Sequence, residues 1–265
     1  MAVVTGGASG IGRACALAMA GRGADVVIAD LDEERTATAV AEVRAAGRRA
    51  LGVRCDVSRD GDLEQLAERS IAEMGRVDLL MNNAGVVLVG PPEQLSMGDW
   101  EWIVGINLLG PVRGVRAFLP HMLERGSGYV VNTASFAGLV AHNPLTIPYD
   151  TTKHGVVGLS AGLALYLRPK GIGVSVLCPG YVATNLSERT RVRGLAGGPS
   201  GVRRIPDARV EAADVAERVV EAVEAERFLI LSQPEHGRIW ARRAADVDAH
   251  IARQLEALSR PADAG

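Results

Sequence analysis

The chain has 265 residues, 48% of them hydrophobic, 23% charged and 4% aromatic, with a net charge of −2. This is the balance of a globular protein able to bury one large core. The near-neutral charge argues against nucleic acid or an acidic membrane surface as the dominant partner. Cys15, Cys55 and Cys178 are widely spaced and flanked by small or apolar residues. They read as buried thiols of a reducing compartment, with neither metal-ligand nor redox spacing. No apolar run reaches the length of a membrane span, and no signal-peptide pattern opens the chain, so a cytoplasmic protein is expected.

Short apolar runs alternate with helix-period stretches along the chain. Strands are expected at 2–5, 25–29, 50–54, 77–81, 128–132, 173–177 and 227–231. Helices are expected at 11–21, 33–46, 60–74, 99–123, 149–168 and 211–224. Strict alternation implies an α/β fold: a doubly wound parallel sheet of about seven strands with helices on both faces. No repeat or linker divides the chain, so 1–265 reads as one domain. Residues 187–209 are rich in Gly and Arg and read as a mobile lid or, failing that, a disordered insertion. From about 235 to 265 a charged helical extension ends in small residues.

Thr5-Gly-Gly-Ala-Ser-Gly-Ile-Gly12 follows the first strand and opens the first helix. Glycines let a backbone turn sharply and approach a pyrophosphate, whose charge then sits at a helix N-terminus. Gly6, Ser9, Gly10, Ile11 and Gly12 are therefore candidate cofactor contacts. Asp30 closes the second strand, where a carboxylate binds ribose hydroxyls and repels a 2′-phosphate. NAD is expected over NADP, with Arg13 the nearby cation that would weaken the preference. Asp56 and Val57, after the third strand, suit the adenine edge; a turn aspartate fits Asp56 almost as well.

Tyr149 and Lys153 stand four positions apart on a helix and share a face. A tyrosine ordinarily ionises near pH ~10. A cation ~4 Å away would lower that by roughly two to three units, enough to make an acid/base at neutral pH. Among 29 Lys and Arg residues only Lys153 and Lys170 are lysines, so a lysine at 153 is a departure from the chain's habit.

With the glycine loop, Asn82-Asn83-Ala84-Gly85, Ser135 and Tyr149/Lys153 in this order, the chain resembles the short-chain dehydrogenase/reductase family from its first residues to roughly Thr184. The resemblance implies a Rossmann-type fold, a nicotinamide cofactor and alcohol–carbonyl interconversion. It implies that Ser135 bonds the substrate oxygen, that Tyr149 is the acid/base, and that Lys153 lowers its pKa and holds the nicotinamide ribose. Asn107 completes a tetrad. Asn83, Ala84 and Gly85, then Pro179, Gly180, Val182 and Thr184, would line the nicotinamide half of the site. Pro111 has no N–H for the carbonyl of Asn107, which would free that carbonyl for water leading to Lys153; alternatively Gly110-Pro111 only bends a packed helix.

The substrate is expected to be a small alcohol or ketone, hydrophobic if Val86–Val89, Phe136, Leu139, Val140 and Tyr181 line its pocket rather than core. His142 is a possible contact, and Arg191, Arg193, Arg203 and Arg204 are candidate anion partners. Few residues precede Thr5, so either the first strand is short or Met1 is not the natural start. The C-terminal end lacks the Gly-rich ending common in tetrameric members, which favours a homodimer through 99–123 and 149–168 and leaves a tetramer open. The alternatives are an inactive nicotinamide-binding regulator, an NADP-dependent carbonyl reductase, and an NAD-dependent epimerase or dehydratase.

Overall fold

The computed structural model describes residues 1–195 and 209–259. In chain order the main elements are β1 (Ala2–Thr5), α1 (Gly10–Gly21), β2 (Val26–Asp30), α2 (Glu33–Ala45), β3 (Ala50–Arg54), α3 (Asp60–Met74) and β4 (Leu79–Asn82). The second half holds β5 (Val87–Val89), α4 (Met97–Asn107), α5 (Leu109–Arg125), β6 (Gly128–Thr133), α6 (Ile147–Leu167) and β7 (Ile172–Cys178). Next come β8 (Val182–Ala183), β9 (Thr190–Val192), β10 (Val210–Glu211), α7 (Ala212–Glu224), β11 (Leu229–Leu231), α8 (His236–Ala245) and α9 (Val247–Ser259).

Seven strands form one parallel sheet in the order β11-β7-β6-β4-β1-β2-β3. Period-two alternation sends neighbouring residues to opposite faces. Val3, Val27, Leu80, Val130 and Val174 pack with Leu63 and Leu66 of α3, Phe118 and Met122 of α5 and Leu167 of α6. Val4, Ile28, Met81 and Val131 pack with Cys15 and Met19 of α1, Val40 and Val43 of α2 and Val215 and Val219 of α7. Both faces are thus covered, which is why these strands read as continuous apolar runs. After β3 the chain crosses back over β1 to β4, and the two directions of winding part above β1. A parallel sheet opens its crevice at such a switch point. Among the described residues no helix is long and apolar enough to cross a membrane.

One expectation needs correction. The helix expected over 99–123 is two helices, with Leu108 at φ −110° and ψ −54° between them. Pro111 falls in the first turn of α5, where its missing N–H costs nothing, while it denies a continuous helix one bond. The charged C-terminal stretch is also two helices, separated by the extended Asp246 (φ −155°), whose Oδ1 accepts from Ala249 N at 2.8 Å. Of the expected lid, residues 196–208, Arg203 and Arg204 among them, lie outside the described residues, as do residues 260–265 of the extension. The described part is structured: β9 pairs in parallel with β5, and β10 with β8.

Gly12 shows how tightly α1 packs on its loop. A Cβ there would stand 2.2 Å from the Gly6 carbonyl oxygen and 2.5 Å from Asn83 Nδ2. Gly12→Ala is therefore expected to destabilise the fold by about 1–3 kcal/mol, the usual cost of overpacking. Thermal melts run without any dinucleotide check it; an unchanged midpoint would leave cofactor access as the reason for this glycine.

Candidate active site

A single cleft runs across the C-terminal ends of the central strands. Its lining comprises Gly6, Ser9, Gly10 and Ile11, then Asp30 and Leu31, Cys55, Asp56 and Val57, Asn83–Val86 and Ile106, and finally Thr133, Ala134, Tyr149, Lys153, Pro179 and Thr184–Leu186, with Arg189. Gly6 (φ +61°) and Gly10 (φ +52°) hold left-handed backbone that favours glycine. A Cβ on Gly6 would come within 2.8 Å of Ala84 Cα, so the loop lies directly on the residues after β4. The first turn of α1 faces the cleft at Gly10 and Ile11, presenting backbone N–H groups without intrahelical partners.

Asn83 ties this floor together. Its Nδ2 donates to the carbonyls of Thr5 and Gly6 at 3.1 and 3.2 Å, and its Oδ1 accepts from Thr133 Oγ1 at 3.3 Å. Thr5 Oγ1 accepts in turn from the amides of Asn83 and Ala84. At the far end, Asp30 accepts from Ala8 N and Asp32 N, both at 3.2 Å. Asp56 Oδ1 accepts from Ser58 N at 2.9 Å and Ser58 Oγ at 2.7 Å, so it is a turn aspartate that also borders the cleft. Arg13, the cation named as a threat to the NAD preference, is forked onto Glu42.

At the other end α6 presents Tyr149 and Lys153 to the cleft one turn apart. Gly138 fixes how closely the helix meets the loop carrying Ser135, since a Cβ there would be 2.5 Å from the Lys153 carbonyl. Lys153 is buried, and its Nζ donates to the Thr133 carbonyl at 2.9 Å and stands 5.7 Å from the centre of the Tyr149 ring. Asn107 reaches the same place from the end of α4. Its Oδ1 and the lysine Nζ would both lie 3.4 Å from a Cβ on Gly85, and its amide group pins Val86 through both N–H and C=O at 2.9 Å.

The expected pKa effect is reversed. Burial pushes the Tyr149 phenol up to about 12, against a hydrogen bond with the Ser135 hydroxyl that pulls it down. Burial likewise pulls the Lys153 ammonium down to about 8. Both groups lie too deep for a near-surface dielectric, and desolvation is the largest influence on each. The phenol is protonated at neutral pH, with the ammonium close beside it.

Some predicted contacts fall outside the cleft. Gly12, Gly180 and Val182 do not line it, and Asn107 and Ser135 stand just behind the lining. Leu88, Val89, Phe136, Leu139 and Val140 are buried core rather than pocket wall, because the loop after β6 folds inward onto β7. His142 Nδ1 lies 3.2 Å from its own loop's Val140 carbonyl. Arg193 pairs with Asp99 at 2.9 Å and Arg191 stacks over Trp102 at 3.7 Å, so the two anchor β9 and the residue after it to α4. Leu31, Cys55, Ile106, Thr133, Ala134, Asn185, Leu186 and Arg189 also line the cleft, and no motif of their own marks them.

The model of the short chain dehydrogenase family matches residues 1–193. The chain belongs to that family. A crystal structure of a short-chain dehydrogenase/reductase from Burkholderia phymatum in complex with NAD superposes with a TM-score of 0.85 at 37% identity, covering 94% of each chain. Among its relatives is D-threitol dehydrogenase of Mycolicibacterium smegmatis, 38% identical over 71% of this chain and 72% of that one. Another is cis-4-hydroxycyclohexanecarboxylate dehydrogenase of Sinomonas cyclohexanicum, 38% identical over 84% and 87%.

Asp150, next to the site tyrosine, is buried and accepts from Thr146 Oγ1 at 2.9 Å; burial raises its carboxyl to about 7. Unfolded, it would titrate near ~4, so its contribution is fully present below that pH and is lost as pH rises through 7. Asp150→Asn keeps the acceptor and removes the buried charge. It is expected to stabilise the protein by roughly 1–3 kcal/mol at pH 8 and by less at pH 5. Denaturant midpoints at the two pH values measure the difference; equal gains would show that the carboxyl does not titrate in the fold.

Proposed function

We propose that the protein is an NAD-dependent oxidoreductase interconverting a secondary alcohol and its ketone, with Tyr149 as the acid/base. One observation carries the reading: a single cleft joins Asp30, the glycine loop at the α1 N-terminus, and the Tyr149–Lys153 pair. The residues suit a dinucleotide along its whole length. The helix N-terminus at Ser9–Ile11 would take the pyrophosphate, and Asp30 the adenosine ribose hydroxyls. Arg35, one turn beyond Asp30, is engaged by Glu188 at 3.0 Å and Asp32 at 3.4 Å, and Arg13 by Glu42, which leaves neither facing a 2′-phosphate. Arg189 lines the cleft and suits the pyrophosphate charge.

When bound, NAD would supply the carbon that accepts or returns hydride and, oxidised, a positive ring. Tyr149, protonated at rest, gives its proton to a carbonyl oxygen in reduction. In oxidation it first releases that proton toward Lys153 and solvent, a loss that neighbouring positive charge favours, and then as phenolate takes the alcohol proton. Ser135, whose hydroxyl pulls the phenol's pKa down, holds the developing alkoxide. Lys153 holds the ribose and, beside Asn107, passes the proton on toward solvent. Val86 and Ile106 give the cleft apolar walls, in keeping with a hydrophobic substrate.

Tyr149→Phe is expected to cut turnover by at least about a hundredfold while NADH binding stays within a few-fold. Spectrophotometric assay on a panel spanning cyclic, aryl and polyol secondary alcohols, with NAD and then NADP, reads it. A near wild-type rate in the variant would remove the acid/base role from Tyr149, and a wide NADP advantage would remove the role given to Asp30.

A homodimer through α5 and α6 is supported by exposed apolar side chains, Leu165 at 83% and Tyr166 at 56% on α6 with Leu123 on α5. Leu165→Glu should shift the protein toward monomer in sedimentation; an unchanged mass would point to another interface.

A further inference from the structure

The first 193 residues carry the family match, yet a buried polar cluster from beyond it presses on the Tyr149 end of the cleft. The sheet itself delivers it. β11 pairs with β7 so that Leu231 faces Cys178, and the next residues of both strands leave the sheet side by side. Ser232, Gln233 and His236 thereby meet the turn of Pro179 to Tyr181, and all three are at most 3% exposed.

The contacts fall on backbone. Gly180 N donates to Ser232 Oγ at 2.9 Å and to Gln233 Oε1 at 3.2 Å, and Gln233 Nε2 donates to the Tyr181 carbonyl at 3.3 Å. One amide side chain thus grips the turn from both sides, accepting at 180 and donating at 181. The fit leaves no slack, because a Cβ on Gly180 would be 2.2 Å from His236 Cε1. His236 stacks on Phe136, with ring centres 3.9 Å apart and planes at 19°. Phe136 N donates to the Pro179 carbonyl at 2.8 Å, and Ser135 Oγ reaches the same oxygen at 3.5 Å. Pro179 lines the cleft, and the Ser135 hydroxyl lies close enough to the Tyr149 phenol to pull its pKa down.

We propose that Gln233 and His236 are positioning residues for the nicotinamide end of the site. They hold the Pro179–Tyr181 backbone and, through Phe136, the segment that presents the Ser135 hydroxyl. The inference rests on the proposed NAD-dependent reading. Neither side chain touches the cleft. Their effect passes through a turn that they share with Ser232 on the Gly180 amide and with Val210 N on the Tyr181 carbonyl at 3.1 Å, so losing the Gln233 grip loosens its aim at the scale of an ångström that decides a productive geometry.

The test uses two probes on the full-length protein. NADH carries the nicotinamide ring, read by its fluorescence; ADP-ribose has the same adenosine and pyrophosphate but no ring, read by calorimetry. Gln233→Met keeps the shape and loses the grip. It is expected to weaken NADH about tenfold, the size of one or two lost hydrogen bonds to fixed backbone, and ADP-ribose less than about twofold. His236→Ala should behave similarly, whereas His236→Phe, which keeps the stack on Phe136, should bind NADH close to wild type. Equal losses for both probes, or no loss for either, would overturn the positioning role. If one variant fails to fold, the other decides. Failure of the wild-type protein to bind NADH would instead overturn the proposed function, so the two failures are distinct.

Discussion

A lysine ammonium taken out of water organises this site. Lys153 is 4% exposed, and among the described residues its hydrogen bond goes to one backbone carbonyl, that of Thr133 at the end of β6. A cation so placed is costly unless its surroundings are fixed. The surroundings are fixed by backbone: Gly138 lets the loop after β6 lie against the Lys153 carbonyl, and Gly85 admits both the ammonium and the Asn107 amide. The same burial moves the phenol up and the ammonium down. The pair is therefore sensitive to any further charge entering the cleft, since little water remains to screen it.

Beneath that pair, the floor of the cleft depends on polar groups that the core cannot leave unpaired. Asn82 donates to Asn132 Oδ1 at 2.9 Å, and Asn132 donates to Ser160 Oγ at 3.0 Å, so β4, β6 and α6 are joined by side chains inside the sheet layer. Asn83, one residue on, does the same for the loops after β1, β4 and β6. The two asparagines point to opposite sides of one strand end. One locks the helix that carries Tyr149 and Lys153; the other shapes the glycine loop.

The contribution of the C-terminal segment is of another kind. β11 adds an edge strand to the sheet, and the turn that follows returns over the loops of β6 and β7. Residues far from the glycine loop in sequence thus buttress the opposite end of the cleft. Meanwhile Arg193 on Asp99 and Arg191 on Trp102 fasten β9 and the residue after it to α4. Arginines that looked available for an anion are spent on tertiary structure.

Much of this molecule was legible in the sequence. The strand and helix alternation, the glycine loop, Asp30 and the four-residue spacing of Tyr149 and Lys153 are local patterns, and local patterns follow from period, turn chemistry and propensity. The break at Leu108 was half legible, because Pro111 announces a lost bond but not whether a helix bends or restarts. The direction of the pKa shifts was not legible, since burial is a property of everything packed around a group. Nor were Leu31, Ile106 and Arg189 as cleft walls, or Gln233 and His236 against Gly180 and Phe136, because contacts across some 50 or more residues leave no spacing to read. The chain by itself determined which chemistry-bearing residues exist and which elements carry them. The folded sheet alone decided which of them share one low-dielectric cleft, and that decision rests on packing between strands distant in the chain.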